Sequence, residues 1–331
     1  MILMEFDLAG AEWVVVAYLS RDENMLGVVR SGKSPHVVTG ALISGASEDF
    51  VLEEHKLVGS HTDATTIEQL RRQLHIPPGA FMPRVMSIRQ AGKKSNHGLN
   101  YNMKFRRFAL ENEMLEEDAR PIVEAYSTKA YPGIKDYWED IRRELKDNKR
   151  CLVNCFGRKV HLRDEWGETL FNQAYSFKPQ STVVDIVNRA MRLAFNDKSR
   201  AFEKMFLGAQ VHDSLQVQSP VPEDFEGWIT LAAMVRKIKE YMRPEIEYHG
   251  AKFRLGCDMK MGINWGDMQP VKMPEDLEEG ANTLMLAYDA AVHSGQGMCQ
   301  DAQIEETAVE PVGEVVYLSE ARSARDRRKV G

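Results

Sequence analysis

The first twenty residues constrain the fold of this 331-residue chain more than any other stretch. Ile2, Met4 and Phe6 alternate with Leu3 and Glu5 up to Asp7, the period of a strand with one buried face. Gly10 breaks the strand, and Ala11 to Ser20 reads as a helix that is apolar almost all round. Such a helix needs cover on most sides, so the chain must build further layers around it. Its length suffices for one large domain or two ordinary ones. A hydrophobic content of 43% supports a packed core and argues against wholesale disorder.

A mixed segment follows, punctuated by Gly32, Pro35, Gly40, Gly45 and Gly59 and ended by Pro77-Pro78-Gly79. Pro83 is expected to open a helix, where its missing N–H is harmless. Helices are expected over 111–130 and 134–149, separated by the turn Tyr131-Pro132-Gly133. A strand pair is expected over 151–162 around Gly157-Arg158, then an amphipathic helix over 181–195. Two short strands, 206–211 and 214–218, meet at His212-Asp213; a helix over 227–241 and a strand over 253–262 follow. Beyond residue 269, acid-rich (Glu275–Glu279) and then basic-rich (Arg322–Lys329) stretches predict a largely disordered tail with one short helix.

No apolar run approaches the roughly 20 residues of a membrane span, and the N-terminus has no basic region of a signal peptide. The expectation is a soluble, cytoplasmic protein without a membrane partner. Cys151 and Cys155, with His161 nearby, have a spacing that would suit a metal cluster, but reduced thiols are favoured because such short matches are seldom real. The net charge of −6 excludes a uniformly basic coat, not a local basic surface. Arg84, Arg89, Lys93, Lys94, Lys104, Arg106 and Arg107 form such a surface, with no acid among them.

Two further features carry chemistry. Asp7 and Asp213 each sit at the end or turn of an expected strand. Phosphoryl transfer commonly uses two divalent ions about 3.5–4 Å apart, and Mg²⁺ takes one or two carboxylates and shares its remaining shell with phosphates and water. Taken alone, turn-forming aspartates explain both positions better. Arg89, Lys93, His97 and Tyr101 are four residues apart, so they form one slowly winding stripe that drifts about 40° per step.

The surrounding motifs give these features a context. Phe6-Asp7-Leu8-Ala9-Gly10-Ala11-Glu12 resembles the first palm motif of family A DNA polymerases, in which an Asp is followed five residues later by a Glu. Gln210-Val211-His212-Asp213-Ser214 resembles the third motif, and Arg89, Lys93 and Tyr101 reproduce the fingers pattern Arg-x3-Lys-x7-Tyr. Ser34-Pro35-His36, Tyr131-Pro132-Gly133-Ile134, Gly157-Arg158-Lys159, the helix from Gln180 to Ile186 and Gly262-Ile263-Asn264-Trp265 resemble further family segments in order.

The resemblance implies an α+β right-hand palm, an antiparallel sheet with helices, plus helical fingers. Its boundaries would be 1–20 and 136–268 for the palm, 21–135 for the fingers and 269–331 for the tail. It implies a DNA-directed DNA polymerase in which Asp7 and Asp213 hold two Mg²⁺. Arg89 and Lys93 would grip the dNTP triphosphate, with Lys93 supplying charge or a proton to the leaving pyrophosphate. His97 would face the sugar and Tyr101 would stack on the base pair or template. Gln180 and His212 would contact primer–template DNA.

Ser214 stands where the family has a Glu, as in the single-subunit phage RNA polymerases that share this palm. Glu12, which in the DNA enzymes fills the space of a ribose 2′-hydroxyl, favours a DNA enzyme. Ser176 and Asn172 replace the family's Asn and Arg before Gln180. The thumb, the upstream palm and the exonuclease domain that precede the first motif in the family are not found here. The expectation is a second polypeptide supplying the thumb and upstream palm, in a split polymerase of the kind a phage genome encodes. A phage-type RNA polymerase piece and a non-catalytic nucleic-acid-binding remnant are the alternatives.

Overall fold

The computed structural model describes residues 1–299. Strand β1 (Ile2–Ala9) leads through Gly10, in a left-handed conformation at φ 56°, into helix α1 (Ala11–Ser20). A helical region follows: α2 (Glu23–Ser31), α3 (Pro35–Ser44), α4 (Glu48–Val58), α5 (Ala64–Arg71), α6 (Ile88–Asn100), α7 (Phe105–Glu111) and α8 (Glu116–Ala125). A π-helical turn, Tyr126–Ala130, leads to α9 (Ile134–Asp147). Then come β2 (Cys151–Val153), β3 (Lys159–His161), α10 (Glu168–Asn196), β4 (Phe206–Val211), β5 (Ser214–Ser219), α11 (Phe225–Tyr241), β6 (Ile246–Tyr248), β7 (Ala251–Phe253), β8 (Gly256–Gly262), β9 (Gln269–Pro270) and α12 (Leu277–Cys299).

The central sheet is antiparallel, in the order β4-β5-β1-β8-β9. Its pleat sorts β1 cleanly: Ile2, Met4, Phe6 and Leu8 are buried, and Leu3, Glu5, Asp7 and Ala9 face the other side. The buried set is continued by Leu215 and Val217 of β5 and by Met259 and Met261 of β8. It joins one core with Val15, Val16 and Leu19 of α1, Val183, Ile186 and Val187 of α10, and Leu231 and Val235 of α11. The apolar helix α1 is therefore covered as its composition requires.

Several expectations change. The segment before residue 80 is four helices, α2 to α5, three of them capped by Asp22, Ser47 and Asp63 accepting from backbone N–H groups. Pro83 does not open a helix. Ser87 does, accepting from Gln90 N at 3.2 Å, while Arg71 holds Pro83 by its carbonyl. The helix expected over 111–130 is broken at 112–115 and ends in the π-turn. The amphipathic helix at 181–195 begins earlier, at Glu168, and runs through Pro179. The expectation of a largely disordered tail fails for its first part: β9 pairs with β8, and Val271, Ala281 and Leu284 are buried in the core. Residues 300–331 lie outside the described residues.

The helical region is held differently from the sheet. Helices α3 and α6 cross so closely that a Cβ on Gly92 would lie 2.3 Å from the His36 carbonyl oxygen and 2.7 Å from Gly40 N. This explains a glycine inside a helix, where it costs about 1 kcal/mol relative to alanine. Asn96 Oδ1 accepts from Thr39 Oγ1 at 2.9 Å and from Tyr126 OH at 3.0 Å, and its Nδ2 donates to Pro35 O at 3.1 Å. Asp22 joins this region to the Tyr131-Pro132-Gly133 turn, since its Oδ2 accepts from Gly133 N at 2.7 Å.

Candidate active site

Asp7 is aimed by the register of the sheet. It pairs with Ser214 of β5 on one side and Asp258 of β8 on the other, all on the face opposite the core. Asp213 lies in the two-residue turn between β4 and β5, and its carbonyl accepts from Leu8 N at 3.3 Å. The turn puts His212 in the left-handed region at φ 53°. That conformation costs a non-glycine residue about 1 kcal/mol, a local strain often found beside functional groups.

Burial, then the neighbouring Asp213 and Glu5 carboxylates, raise the Asp7 pKa to about 6, with Lys260 acting in the opposite sense. Glu5 is tied down, accepting from Gln216 Nε2 at 3.0 Å and Lys260 Nζ at 3.1 Å. Among the described residues, no side chain donates a hydrogen bond to the carboxylates of Asp7, Asp213 or Asp258. Facing anions without donors repel each other unless a cation joins them. No group of three or more His, Cys, Asp or Glu side chains suited to a metal occurs among the described residues. Two carboxylates on one surface still match what Mg²⁺ asks of a protein when phosphates and water complete its shell. The donor set therefore fits. Cys151 and Cys155 are half-buried free thiols, the latter with its Sγ 3.8 Å from Thr182 Oγ1.

Helix α6 faces the carboxylates. Its small and polar residues Ala91, Gly92, Ser95 and Asn96 are buried, whereas Lys93 and His97 are exposed and Arg89 half-buried. At its end Tyr101 donates from OH to Glu12 Oε2 at 2.6 Å. Burial and then the Glu12 carboxylate hold the Tyr101 pKa well above the usual phenol range, so the ring keeps its proton and remains the donor. His36, from α3, joins the same surface. Burial, then the charges of Arg89, His97 and Lys93, lower its pKa to about 4, so it is neutral at pH 7.

All nine residues singled out in the sequence border one cleft of about 1300 Å³. Asp7, Glu12, His212 and Asp213 come from the sheet side, Gln180 from α10, and Arg89, Lys93, His97 and Tyr101 from α6 and its cap. A second cleft of about 830 Å³ shares five of these residues, Glu12, Lys93, His97, Tyr101 and Gln180, and brings Lys94, Lys104 and Arg107 opposite Asn172 and Ser176. Sequence reasoning missed Asp258 as a cleft residue. The alternation Cys257-Asp258-Met259-Lys260-Met261 was the available signal, since it puts Asp258 on the polar face of its strand.

Carboxylates on a strand and on a neighbouring turn, opposite a cationic helix, make a cleft whose charges suit phosphate groups. The particular lineage comes from comparison with known proteins. A family model described as DNA polymerase family A matches residues 82–267, and the chain belongs to that family. It is 26% identical over 270 residues to the thermostable DNA polymerase I of Thermus thermophilus, an alignment covering 80% of this chain and 27% of the relative. To DNA polymerase I of Borreliella burgdorferi it is 24% identical over 276 residues, covering 81% and 25%. The chain thus spans about a quarter of the length of these relatives.

Its fold resembles the POL domain of Pol1 from M. smegmatis, a structure solved in complex with DNA primer-template and dNTP. The TM-score is 0.58 at 18% identity, covering 85% of this chain and 41% of that one. The expected α+β palm-and-fingers architecture is the one observed. Among the described residues, no helix is long and apolar enough to cross a membrane.

Proposed function

We propose that this chain performs the nucleotidyl-transfer step of template-directed DNA synthesis, joining dNTPs to a primer 3′ hydroxyl with two Mg²⁺ ions. The observation that carries the reading is the convergence, on one cleft, of the donor-free carboxylates Asp7 and Asp213 and the cationic stripe of α6. Asp7 and Asp213 would hold the ions, which when bound activate the attacking hydroxyl and steady the leaving oxygens. Arg89 and Lys93 bind the triphosphate through charge-assisted hydrogen bonds, and Lys93 supplies charge or a proton to the departing pyrophosphate. His97 faces the sugar. Tyr101 offers its ring to the base pair or template, and Gln180 and His212 contact primer–template DNA.

In this reading residues 1–20 and 136–268 are palm and 21–135 are fingers. The Tyr101–Glu12 hydrogen bond supports a preference for dNTPs, because it holds the Glu12 carboxylate where a ribose 2′-hydroxyl would otherwise fit. A second polypeptide carrying thumb and upstream palm belongs to the proposal. Among the described residues the outer edge of β4 has no partner strand, and Phe206 on it is 57% exposed. The setting is the cytoplasm, of a host cell if the chain is phage-encoded.

Primer extension with purified protein, with and without a polypeptide supplying a family A thumb, tests the reading. Mg²⁺-dependent incorporation of dNTPs in preference to rNTPs is expected. A preference for rNTPs would move the assignment to an RNA polymerase, to which Ser214 points. No extension by folded protein in either condition would leave the non-catalytic remnant.

A further inference from the structure

The residues that pin the start of α6 are supplied by α4 and α5, outside the stretch that the family model matches. Glu54 is fully buried, and its Oε2 accepts from Ile88 N, the first residue of α6, at 2.9 Å. Its other oxygen accepts from Arg71 Nε at 2.9 Å, and Arg71 also donates to the carbonyls of Pro83 and, at 2.8 Å, Met86. The loop before α6 and its first turn are therefore fastened by one buried ion pair. A carboxylate there also complements the positive end of the helix dipole.

Beside this pair, His55 reaches across to α6. Its Nδ1 lies 2.9 Å from Oγ of Ser87, the cap residue, and its Nε2 lies 3.5 Å from Arg89 NH1, at the long end of hydrogen-bond range. A guanidinium can only donate, so Nε2 must be the bare nitrogen and Nδ1–H must donate to Ser87. The imidazole is then a rigid spacer, anchored on the cap of α6 and presenting one lone pair to Arg89.

We infer that His55 is a positioning residue for nucleotide binding: as a neutral imidazole braced on Ser87, it orients the Arg89 guanidinium toward the triphosphate. The inference rests on the proposed role of Arg89. Burial and then the Arg89 charge both lower the His55 pKa, which keeps the required neutral form at pH 7. On its own helix Glu54 is engaged by Arg71 of α5; on α6 Arg89 is the charge that His55 faces; on α3 His36 is subject to the same Arg89 charge. Once protonated, His55 loses its acceptor and repels Arg89.

Equilibrium binding of dATP and of inorganic tripolyphosphate to the full chain tests this, with His55→Asn, Arg89→Met and the double variant. Asparagine keeps a donor for Ser87 and loses the distal acceptor. His55→Asn should weaken binding about tenfold at pH 8, with little further effect in the Arg89→Met background. The advantage of wild type over His55→Asn should close toward one on acidification below the ordinary imidazole value of 6.5, since the folded-state pKa is lowered. Where extension is measurable, KM for dNTP should rise more than kcat falls. His55→Gln, which restores a distal polar atom, should recover part of the loss.

Equal weakening by His55→Asn in both backgrounds, or an advantage unchanged with pH, would overturn the inference and reduce His55 to a structural residue. Wild-type protein that binds neither probe would instead overturn the underlying role of Arg89.

Discussion

Strand β1 of the palm sheet and the fingers helix α6 each bury one set of side chains, yet they are held by different forces. On β1 the buried side chains are Ile2, Met4, Phe6 and Leu8, each at most 1% exposed. On α6 the buried set includes Gly92, Ser95, Asn96, Gly98 and Asn100, with Ile88 and Leu99 the only large aliphatic residues. The palm is held mainly by apolar area, which is non-directional. Helix α6 is held by a glycine crossing and by hydrogen bonds with fixed partners, beside a small apolar cluster of Val37, Phe50, Val51 and Ile88. The palm can thus keep its carboxylates in place through modest repacking of its core, whereas the aim of Arg89 and Lys93 depends on a few exact contacts.

Strand β1 offers the sharpest test of that contrast, because its two faces do different jobs. Asp213→Ala, or Asp7→Ala on β1 itself, should reduce primer extension by about a thousandfold or more, roughly 4 kcal/mol of transition-state stabilisation, with the fold intact. Phe6→Ala, one residue from Asp7 but on the core face, should instead destabilise the protein by about 3–5 kcal/mol. Denaturant unfolding beside the activity measurement separates the two. Loss of stability in the aspartate variants would break the division between core face and cleft face.

A smaller effect should mark the glycine crossing. Gly92→Val sets a branched side chain against backbone atoms of α3 that cannot swing aside. It should destabilise the α3–α6 pair by about 3 kcal/mol. Hydrogen exchange should show the loss in α3 and α6 and leave β1 and β5 protected. Uniform loss across the chain would mean that the two regions unfold as one.

The smallest expected effect is electrostatic. Because the folded-state pKa of Asp7 is raised, the folded protein holds that proton more tightly than the unfolded chain. The associated stability is present below about pH 4 and is lost as pH rises through about 6. Asp7→Asn should therefore raise the melting temperature of metal-free protein by about 2 °C at pH 8, with the difference shrinking at pH 4. No difference at pH 8 would mean that the facing carboxylates do not strain the palm.

Much of this architecture was legible in the residues. The period-two run to Asp7 and the apolar helix after Gly10 were read correctly, as were the hairpin around His212-Asp213 and the helix carrying Arg89 and Lys93, although not its start. The helices before residue 80 were not. Their buried sets are small, and α3, with Val37, Thr39 and Gly40 inside, has no strong apolar stripe to betray it. Pro83 looks like a helix start in the sequence because local preference gives no sight of Arg71, which holds its carbonyl. The first part of the expected tail is ordered for a similar reason: Ala281 and Leu284 are buried in the main core, a tertiary contact that no local repeat announces.

What the sequence determined by itself is the alternation that aims Asp7 away from the core and the four-residue step that aligns Arg89 with Lys93. Both follow from the repeat of a single strand or helix. Only the tertiary structure decided that Asp258 joins Asp7, that Gly92 meets Gly40, and that His55 reaches Arg89. Each of these depends on the register or crossing of elements distant along the chain, a geometry that packing sets and no local repeat encodes.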